Sequence, residues 1–248
     1  MNQHCRQSLS VTMPAYNEEN NIERMIERTV HAVKEIIDDY EIIVVNDGSM
    51  DRTAFIVQDL SKKYPQLRLV NHPTNRGYGA AVWTGFKSAQ KDLIFLTDSD
   101  NQFVLEELAK LLPLLQRADL ATGYRSPRKD PFHRVLFGKG WSLVVNLFLG
   151  YSVRDVDCAF KVFRRGAVDS IDIRSHGATF SAELLARMKR MGYRFAECPV
   201  THLPRTQGAP TGAKLSVIIK AFIELVQLRW RLWREWTVYS QRVNVLEQ

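Results

Sequence analysis

Two carboxylates one residue apart, Asp98 and Asp100 in Thr97-Asp98-Ser99-Asp100-Asn101-Gln102, follow the apolar run Leu93-Ile94-Phe95-Leu96. In a strand, alternate side chains share a face, so a pair at this spacing leaves the strand end pointing one way, close enough to share a divalent cation. A hard cation held by two carboxylates usually takes other ligands from a phosphate. The implied chemistry is that of an enzyme acting on a phosphorylated or nucleotide substrate. Asp and Asn at a strand end are also ordinary turn formers, so the pair gains its weight from its surroundings.

Positioning such a pair needs a sheet, and the first half of the chain reads as one. Short apolar runs alternate with longer amphipathic stretches, the pattern of βαβ units in an α/β fold with a mostly parallel sheet. The expected strands are Leu9–Met13, Glu41–Asn46, Leu67–Asn71, Leu93–Asp98 and Asp119–Gly123, with helices over Asn20–Ile37, Asp51–Lys63, Gly79–Ala89 and Val104–Arg117. Asp51 is placed to cap the second helix. Past Arg125 the chain turns helix-rich, with short strands expected near Ala159–Arg164 and Phe195–Val200. At 248 residues, with no repeat and no low-complexity linker, one domain over 1–248 is expected.

Open parallel sheets bind ligands beyond the carboxyl ends of their strands. Polar clusters stand at three such ends: Pro14-Ala15-Tyr16-Asn17-Glu18, Asn46-Asp47-Gly48-Ser49 and the carboxylate pair. Asn75-Arg76-Gly77-Tyr78-Gly79 opens the following helix, and its glycines would permit close backbone approach to a phosphate-bearing ligand. A dinucleotide fingerprint would need glycine at position 82, where Val82 stands, and no GxxxxGK[ST] loop occurs. Dehydrogenase and P-loop chemistries lose their main support.

Three cysteines without metal-ligand spacing, and an N-terminus lacking a signal peptide's apolar region, point to a reducing, cytoplasmic setting. No apolar run reaches the roughly 20 residues that span a bilayer, so membrane contact is expected to be peripheral. The net charge of +7 is concentrated in 125–139 and 205–236, each with a surplus of four positive charges. Both segments are also rich in apolar residues, which fits poorly with solvated helix faces.

The four motifs Pro14–Glu18, Asn46–Ser49, Asn75–Gly77 and Asp98–Gln102, in this order and spacing, resemble the family 2 inverting glycosyltransferases of GT-A fold. Within that family the chain looks most like the polyprenyl-phosphate sugar transferases, the dolichyl-phosphate mannosyltransferases among them, over residues 8–236. The resemblance implies that Pro14, Tyr16 and Glu18, with Asp47, hold the nucleotide base and ribose. It implies that Asp98, Asp100 and Gln102 gather Mg²⁺ or Mn²⁺ around the donor diphosphate. Arg76 and Lys139 would complete the donor site, and Arg125 and Arg205 would face its phosphates as catalytic cations. It divides the chain into a donor half (1–124), an acceptor half (125–236) and a tail (237–248). Lys139 stands where the relatives carry arginine, and Asp155-Val156-Asp157-Cys158-Ala159-Phe160 replaces a more usual Asp-x-Thr-x-x-Phe.

The activity so implied is inverting transfer of a sugar from a GDP- or UDP-sugar, GDP-mannose for one, to a polyprenyl phosphate at the cytoplasmic face of a membrane. An ionised lipid phosphate needs positioning beside cations more than a general base, and the six histidines are scattered, with only His202 near the proposed site and better suited to a structural part. On a helix, Lys214–Trp236 gathers Lys220, Glu224, Gln227, Arg231 and Arg234 on one stripe with most of the rest apolar, and Arg134–Leu149 repeats the design with Arg134, Gly138, Lys139, Ser142 and Asn146. Such helices are either buried in a core or subunit interface, or lie in a bilayer interface with Trp230, Trp233 and Trp236 at headgroup level. Glu183, within an amphipathic helix, is either catalytic or merely exposed. Two other activities compete: the same donor chemistry with a soluble or glycolipid acceptor, and nucleic-acid binding, which a carboxylate-lined crevice disfavours.

Overall fold

Apolar residues dominate Leu9–Met13, broken only by Ser10 and Thr12, and fill Ile42–Val45 and Leu93–Leu96, and each run lies in a strand whose side chains are buried, as central strands covered on both faces require. The structure, a computed structural model, describes residues 7–128, 132–150, 153–177, 179–204 and 221–235, and only the backbone of 127, 128 and 132–137. The elements in order are β1 (Leu9–Ala15), α1 (Ile22–Lys34), β2 (Tyr40–Asn46), α2 (Thr53–Lys63), β3 (Leu67–Asn71), α3 (Tyr78–Ser88) and β4 (Leu93–Leu96). They continue with α4 (Leu108–Leu111), β5 (Leu120–Arg128), α5 (Phe132–Leu149), β6 (Lys161–Arg164), α6 (Arg165–Asp169), α7 (Phe180–Arg190) and β7 (Phe195–His202). A last helix, α8, covers 221–235.

The sheet order is β3-β2-β1-β4-β6-β5-β7. β6 runs antiparallel to both of its neighbours, and the other pairings are parallel. The chain steps outward from β1 to β2 and β3, then returns past β1 to β4. With right-handed crossovers that reversal puts α3 on the opposite face from α1 and α2 and opens a crevice at the carboxyl ends of β1 and β4.

The expected strands and helices are present among the described residues, with 214–220 and 236 of the last expected helix lying outside them, and two differences have physical causes. Val104–Arg117 is not one helix, since 3₁₀ turns at Leu105–Glu107 and Leu112–Gln116 flank α4. Pro113 lacks the N–H that a continuous α-helix would need there. β4 ends at Leu96, the last residue paired with β1 and β6, so Asp98 and Asp100 belong to a loop, not to a strand. Their proximity comes from that turn, in which Asn101 adopts φ +62°, and strand alternation does not supply it. Asp51 does cap: its Oδ1 accepts the Thr53 N–H at 2.9 Å as α2 begins.

Candidate active site

The β4 loop is fastened to its neighbours from both sides. Ser99 Oγ donates to the Pro14 carbonyl at 2.9 Å, joining the loop after β4 to the end of β1. Arg28, reaching from α1, donates to the Asn101 and Phe103 carbonyls at 3.3 and 2.8 Å. The Gln102 side-chain amide donates to the Leu203 carbonyl at 3.0 Å, while the Leu203 N–H donates to the Gln102 carbonyl at 2.7 Å. Asp98 and Asp100 are half-buried at the rim of the crevice.

Tyr78, at the first turn of α3, donates its hydroxyl to Asp98 Oδ1 at 3.2 Å. Burial and then the charge of Asp100 push the Asp98 carboxyl up to about 7, against the opposing pull of Tyr78, Arg125 and Lys161. Crowding by protein, followed by the carboxylates Asp98, Asp157 and Asp100, raises the Tyr78 hydroxyl and keeps it a donor. Asp157 opens to solvent at the crevice, yet protein packed around it raises its carboxyl too, with the Trp141 indole donating to it. The site thus concentrates negative charge that protein cations offset only in part.

Those cations come from β5 and β6. Arg125, half-buried, grips buried Asp155 through Nε and Nη2, both at 2.7 Å, in a two-point pair. Lys161 is buried at the start of β6, where its Nζ donates to the Val156 carbonyl at 3.0 Å and to the Cys158 carbonyl. Burial lowers its ammonium, while Cys158, Asp155 and Asp157 pull the other way. Lys161 was not singled out from the sequence, although a lysine between Phe160 and Val162 was its signal. Arg28 and Tyr78 carried no comparable signal, since each acts through a contact distant in the chain.

The other expected residues are placed as follows. The Glu18 N–H donates to Thr53 Oγ1 at 2.9 Å, and Tyr16 is exposed at the crevice mouth. Asp47 is buried, with Oδ1 accepting the Arg76 N–H and Oδ2 the Gly77 N–H, both at 2.9 Å, and with His72 Nδ1 2.6 Å from Oδ1. It clamps the 76–77 turn, leaving the Arg76 side chain exposed. The glycines of that turn make room for protein, contrary to the expectation of ligand approach: a Cβ on Gly77 would stand 2.9 Å from the His176 carbonyl, and one on Gly79 2.6 Å from Phe180 Cβ. Lys139 is exposed on α5. Arg205 lies outside the described residues. His202 is buried edge-on to Phe103, ring centres 5.3 Å apart, as suits a structural part.

Glu183 is neither exposed nor at the crevice. It is 0 % exposed, with Oε1 accepting from Arg187 at 2.8 Å and Oε2 from the Ser175 N–H at 2.8 Å and Arg231 at 2.9 Å.

α5 and α8 turn part of their polar stripes inward: Ser142, Asn146, Glu224 and Arg231 bond to protein, whereas Lys139, Gln227 and Arg234 are exposed, and Lys220 and the Arg134 side chain lie outside what is described. Ser142 Oγ accepts the Val156 N–H at 3.3 Å and Asn146 donates to the Val153 carbonyl at 2.9 Å, while Leu143, Leu147 and Phe148 face outward. On α8, Glu224 and Arg231 face α7, and Phe222, Ile223, Val226, Trp230 and Trp233 are exposed. Trp141 meets Phe222 edge-on at 5.6 Å, bringing the two helices together. Trp230 and Trp233 are 59 % and 54 % exposed, so neither is a core residue. Among the described residues no helix is long and apolar enough to cross a membrane.

Among solved structures, glucosyl-3-phosphoglycerate synthase from Mycobacterium tuberculosis, in complex with Mn²⁺, UDP and glucosyl-3-phosphoglycerate, superposes with a TM-score of 0.68 at 21 % identity, over 90 % of this chain and 80 % of that one. The fold is therefore the GT-A type that the motifs implied. A dolichyl-phosphate β-glucosyltransferase of Trichomonas vaginalis is 31 % identical over 236 residues, 87 % of this chain and 69 % of that protein. A dolichol-phosphate mannosyltransferase of Pyrococcus furiosus is 31 % identical over 208 residues, 81 % of this chain and 58 % of that protein. The family model for glycosyl transferase family 2 matches residues 10–172, from the first strand through the crevice loops to the segment beyond β6, and the chain belongs to that family.

Proposed function

We propose that this glycosyltransferase moves a sugar, with inversion, from a nucleotide sugar to a polyprenyl phosphate at a membrane surface, with Mg²⁺ or Mn²⁺ held at Asp98 and Asp100. The carrying observation is the carboxylate pair itself. Asp98, pushed up to about 7 by burial and then by the charge of Asp100, forms with it at the β1/β4 crevice a donor set short of positive charge, which a divalent cation supplies. Among the described residues no cage of three or more His, Cys, Asp or Glu side chains is present. That suits a cation which keeps open positions for phosphate oxygens and water.

When bound, the cation neutralises charge that builds on the departing nucleoside diphosphate. The chain's own residues do the rest. Asp98 and Asp100 would hold the cation, and Arg125, locked by Asp155, presents a fixed positive field to the diphosphate. Arg205 is assigned the same part from the motif alone. An oxygen of the acceptor phosphate attacks the anomeric carbon from the face opposite the diphosphate, the bond from that carbon to the diphosphate oxygen breaks, and nucleoside diphosphate leaves with the electron pair. No proton is removed from a phosphate already ionised, so no base is needed. Pro14, Tyr16, Glu18, Lys139 and the clamped turn at Asp47 and Arg76 are assigned to the donor side, with Gln102 beside the metal.

The lipid acceptor is supported by α5 and α8, whose outward faces carry Leu143, Leu147, Phe148, Phe222, Ile223, Val226, Trp230 and Trp233 beside the exposed cations Lys139, Arg229 and Arg234, while Ser142, Asn146, Glu224 and Arg231 bond inward. A water-facing helix shows the reverse arrangement, and contiguous exposed apolar surface marks an interaction face. Tryptophans with basic neighbours, such as Arg234 stacked on Trp230 at 4.7 Å, suit a headgroup layer. The relatives named for dolichyl-linked substrates support the same acceptor class. Because β5, β6 and β7 complete the sheet begun by β1–β4, donor and acceptor halves are read as one domain.

The deciding experiment incubates the protein with a panel of GDP- and UDP-sugars, Mg²⁺ or Mn²⁺ and a short polyprenyl phosphate, and weighs the products. A glycosylated lipid phosphate is expected. Transfer only to a water-soluble acceptor, indifferent to added lipid phosphate, would replace the acceptor assignment.

A further inference from the structure

The contacts around Glu183 run on toward Asp98. The 174–177 segment has no regular structure, and α7 and α8 fasten it at Ser175: its N–H donates to Glu183 Oε2 at 2.8 Å, and Arg231 donates to both Ser175 Oγ at 3.1 Å and Glu183 Oε2 at 2.9 Å. One residue on, the His176 carbonyl accepts the Gly79 N–H at 3.0 Å. At Gly77 and Gly79 a Cβ would stand 2.9 Å from that carbonyl, and at Gly177 one would stand 3.0 Å from Glu224 of α8. The turn at 76–79 therefore sits between two grips, the Asp47 carboxylate on one side and the 174–177 segment on the other. Between them, Tyr78 reaches Asp98.

We propose that Glu183 and Arg231 are positioning residues for the Asp98 site, holding the 174–177 segment so that it fixes the turn carrying Tyr78 and thereby ties α8 to the carboxylates. The inference rests on the reading that Asp98 and Asp100 hold the donor's cation. Its physical basis is that close-packed backbone has no slack: a segment in van der Waals and hydrogen-bond contact with Gly77 and Gly79 cannot shift without moving Tyr78. Glu183 suits the task because its two oxygens join three elements at once, α7 through Arg187, the 174–177 segment through Ser175 and α8 through Arg231. An outer helix that engages a surface is by this route in mechanical contact with the donor site.

The test measures binding of Mn²⁺ alone to the full chain, with the melting temperature recorded for each variant. Arg231→Met is expected to weaken Mn²⁺ binding severalfold in protein that remains folded, and Arg231→Lys to restore part of it. Tyr78→Phe should weaken binding as well. The double variant should bind no worse than the weaker single one, since both changes cut one chain of contacts. If Arg231→Met does not fold, Ser175→Ala, which deletes only a hydroxyl, takes its place in the same cycle. Parental Mn²⁺ affinity in these variants, whatever their melting temperatures, would overturn the proposal, as would losses that simply multiply in the double variant. Asp98→Asn separates the two readings. Retained Mn²⁺ binding there would remove the metal assignment itself, whereas binding lost there but intact in Arg231→Met would refute the positioning role alone.

Discussion

If Asp98 holds the donor's cation as proposed, protons compete with the cation there. Its carboxyl is pushed up to about 7 by burial and by Asp100, with Tyr78, Arg125 and Lys161 pulling the other way. Below that pH the proton occupies the pair, so Mn²⁺ affinity, followed by titration calorimetry, should tighten as pH rises through 7. The metal-free protein should show the opposite trend in stability. A carboxyl raised from 3.8 to about 7 binds its proton more tightly when folded, so stability declines as pH rises across that window, and added Mn²⁺ should reverse the decline. Asp100→Asn keeps the shape but removes a ligand charge. Turnover should fall by roughly 10²–10³-fold with the fold intact, and near-parental transfer by this variant would end the metal assignment. Arg125→Ala has a second consequence that the sequence did not reveal: it removes the two-point partner of buried Asp155, so stability should fall as well. That variant should melt early as well as transfer poorly.

Elements decide which of the apolar residues are structural. Leu225, Leu228 and Leu232 line the inner face of α8, while Trp230 and Trp233 lie outside. Leu228→Ala should therefore cost about 2–5 kcal/mol. Replacing Trp230 and Trp233 together by Ser should leave the melting temperature near parental while weakening sedimentation with anionic liposomes and transfer to lipid phosphate. Added salt should loosen liposome binding without abolishing it, since apolar burial persists when charges are screened. A double variant that melts early and still binds liposomes like the parent would contradict this account of the two helices.

Across the whole molecule, the ion pairs Glu183–Arg231 and Arg187–Glu235 hold α8 against α7, and Glu183–Arg187 ties the two α7 members together. Burial alone would raise the Glu183 carboxyl, but the Ser175 N–H and the two arginines outweigh it and hold the group below its ordinary 4.5. A depressed carboxyl contributes stability above 4.5 that is lost as pH falls through the lower, folded-state value. Acid unfolding, followed by fluorescence of the α8 tryptophans, should therefore begin in this region of the molecule below pH 4.5. Glu183→Ala should remove that acid transition and cost about 3–5 kcal/mol at neutral pH.

What the sequence determined by itself is what local chemistry fixes. Alternating apolar and amphipathic runs specify the strands and helices of the donor half within a few residues, because burial and periodicity are properties of short segments. The motif order specifies the family, and the carboxylate spacing marks the crevice loop. Tertiary structure alone decided three other matters. Asp98 and Asp100 are gathered by a loop pinned to Pro14, Arg28 and Leu203, contacts reaching across as many as 101 residues. Asp47 faces the 76–77 turn, and the turn's glycines admit the His176 carbonyl. Which face of α8 points inward follows from Glu183, a residue 48 positions away from Arg231. A helical stripe shows that polar groups share a side; only the packed partner determines whether that side meets water or protein.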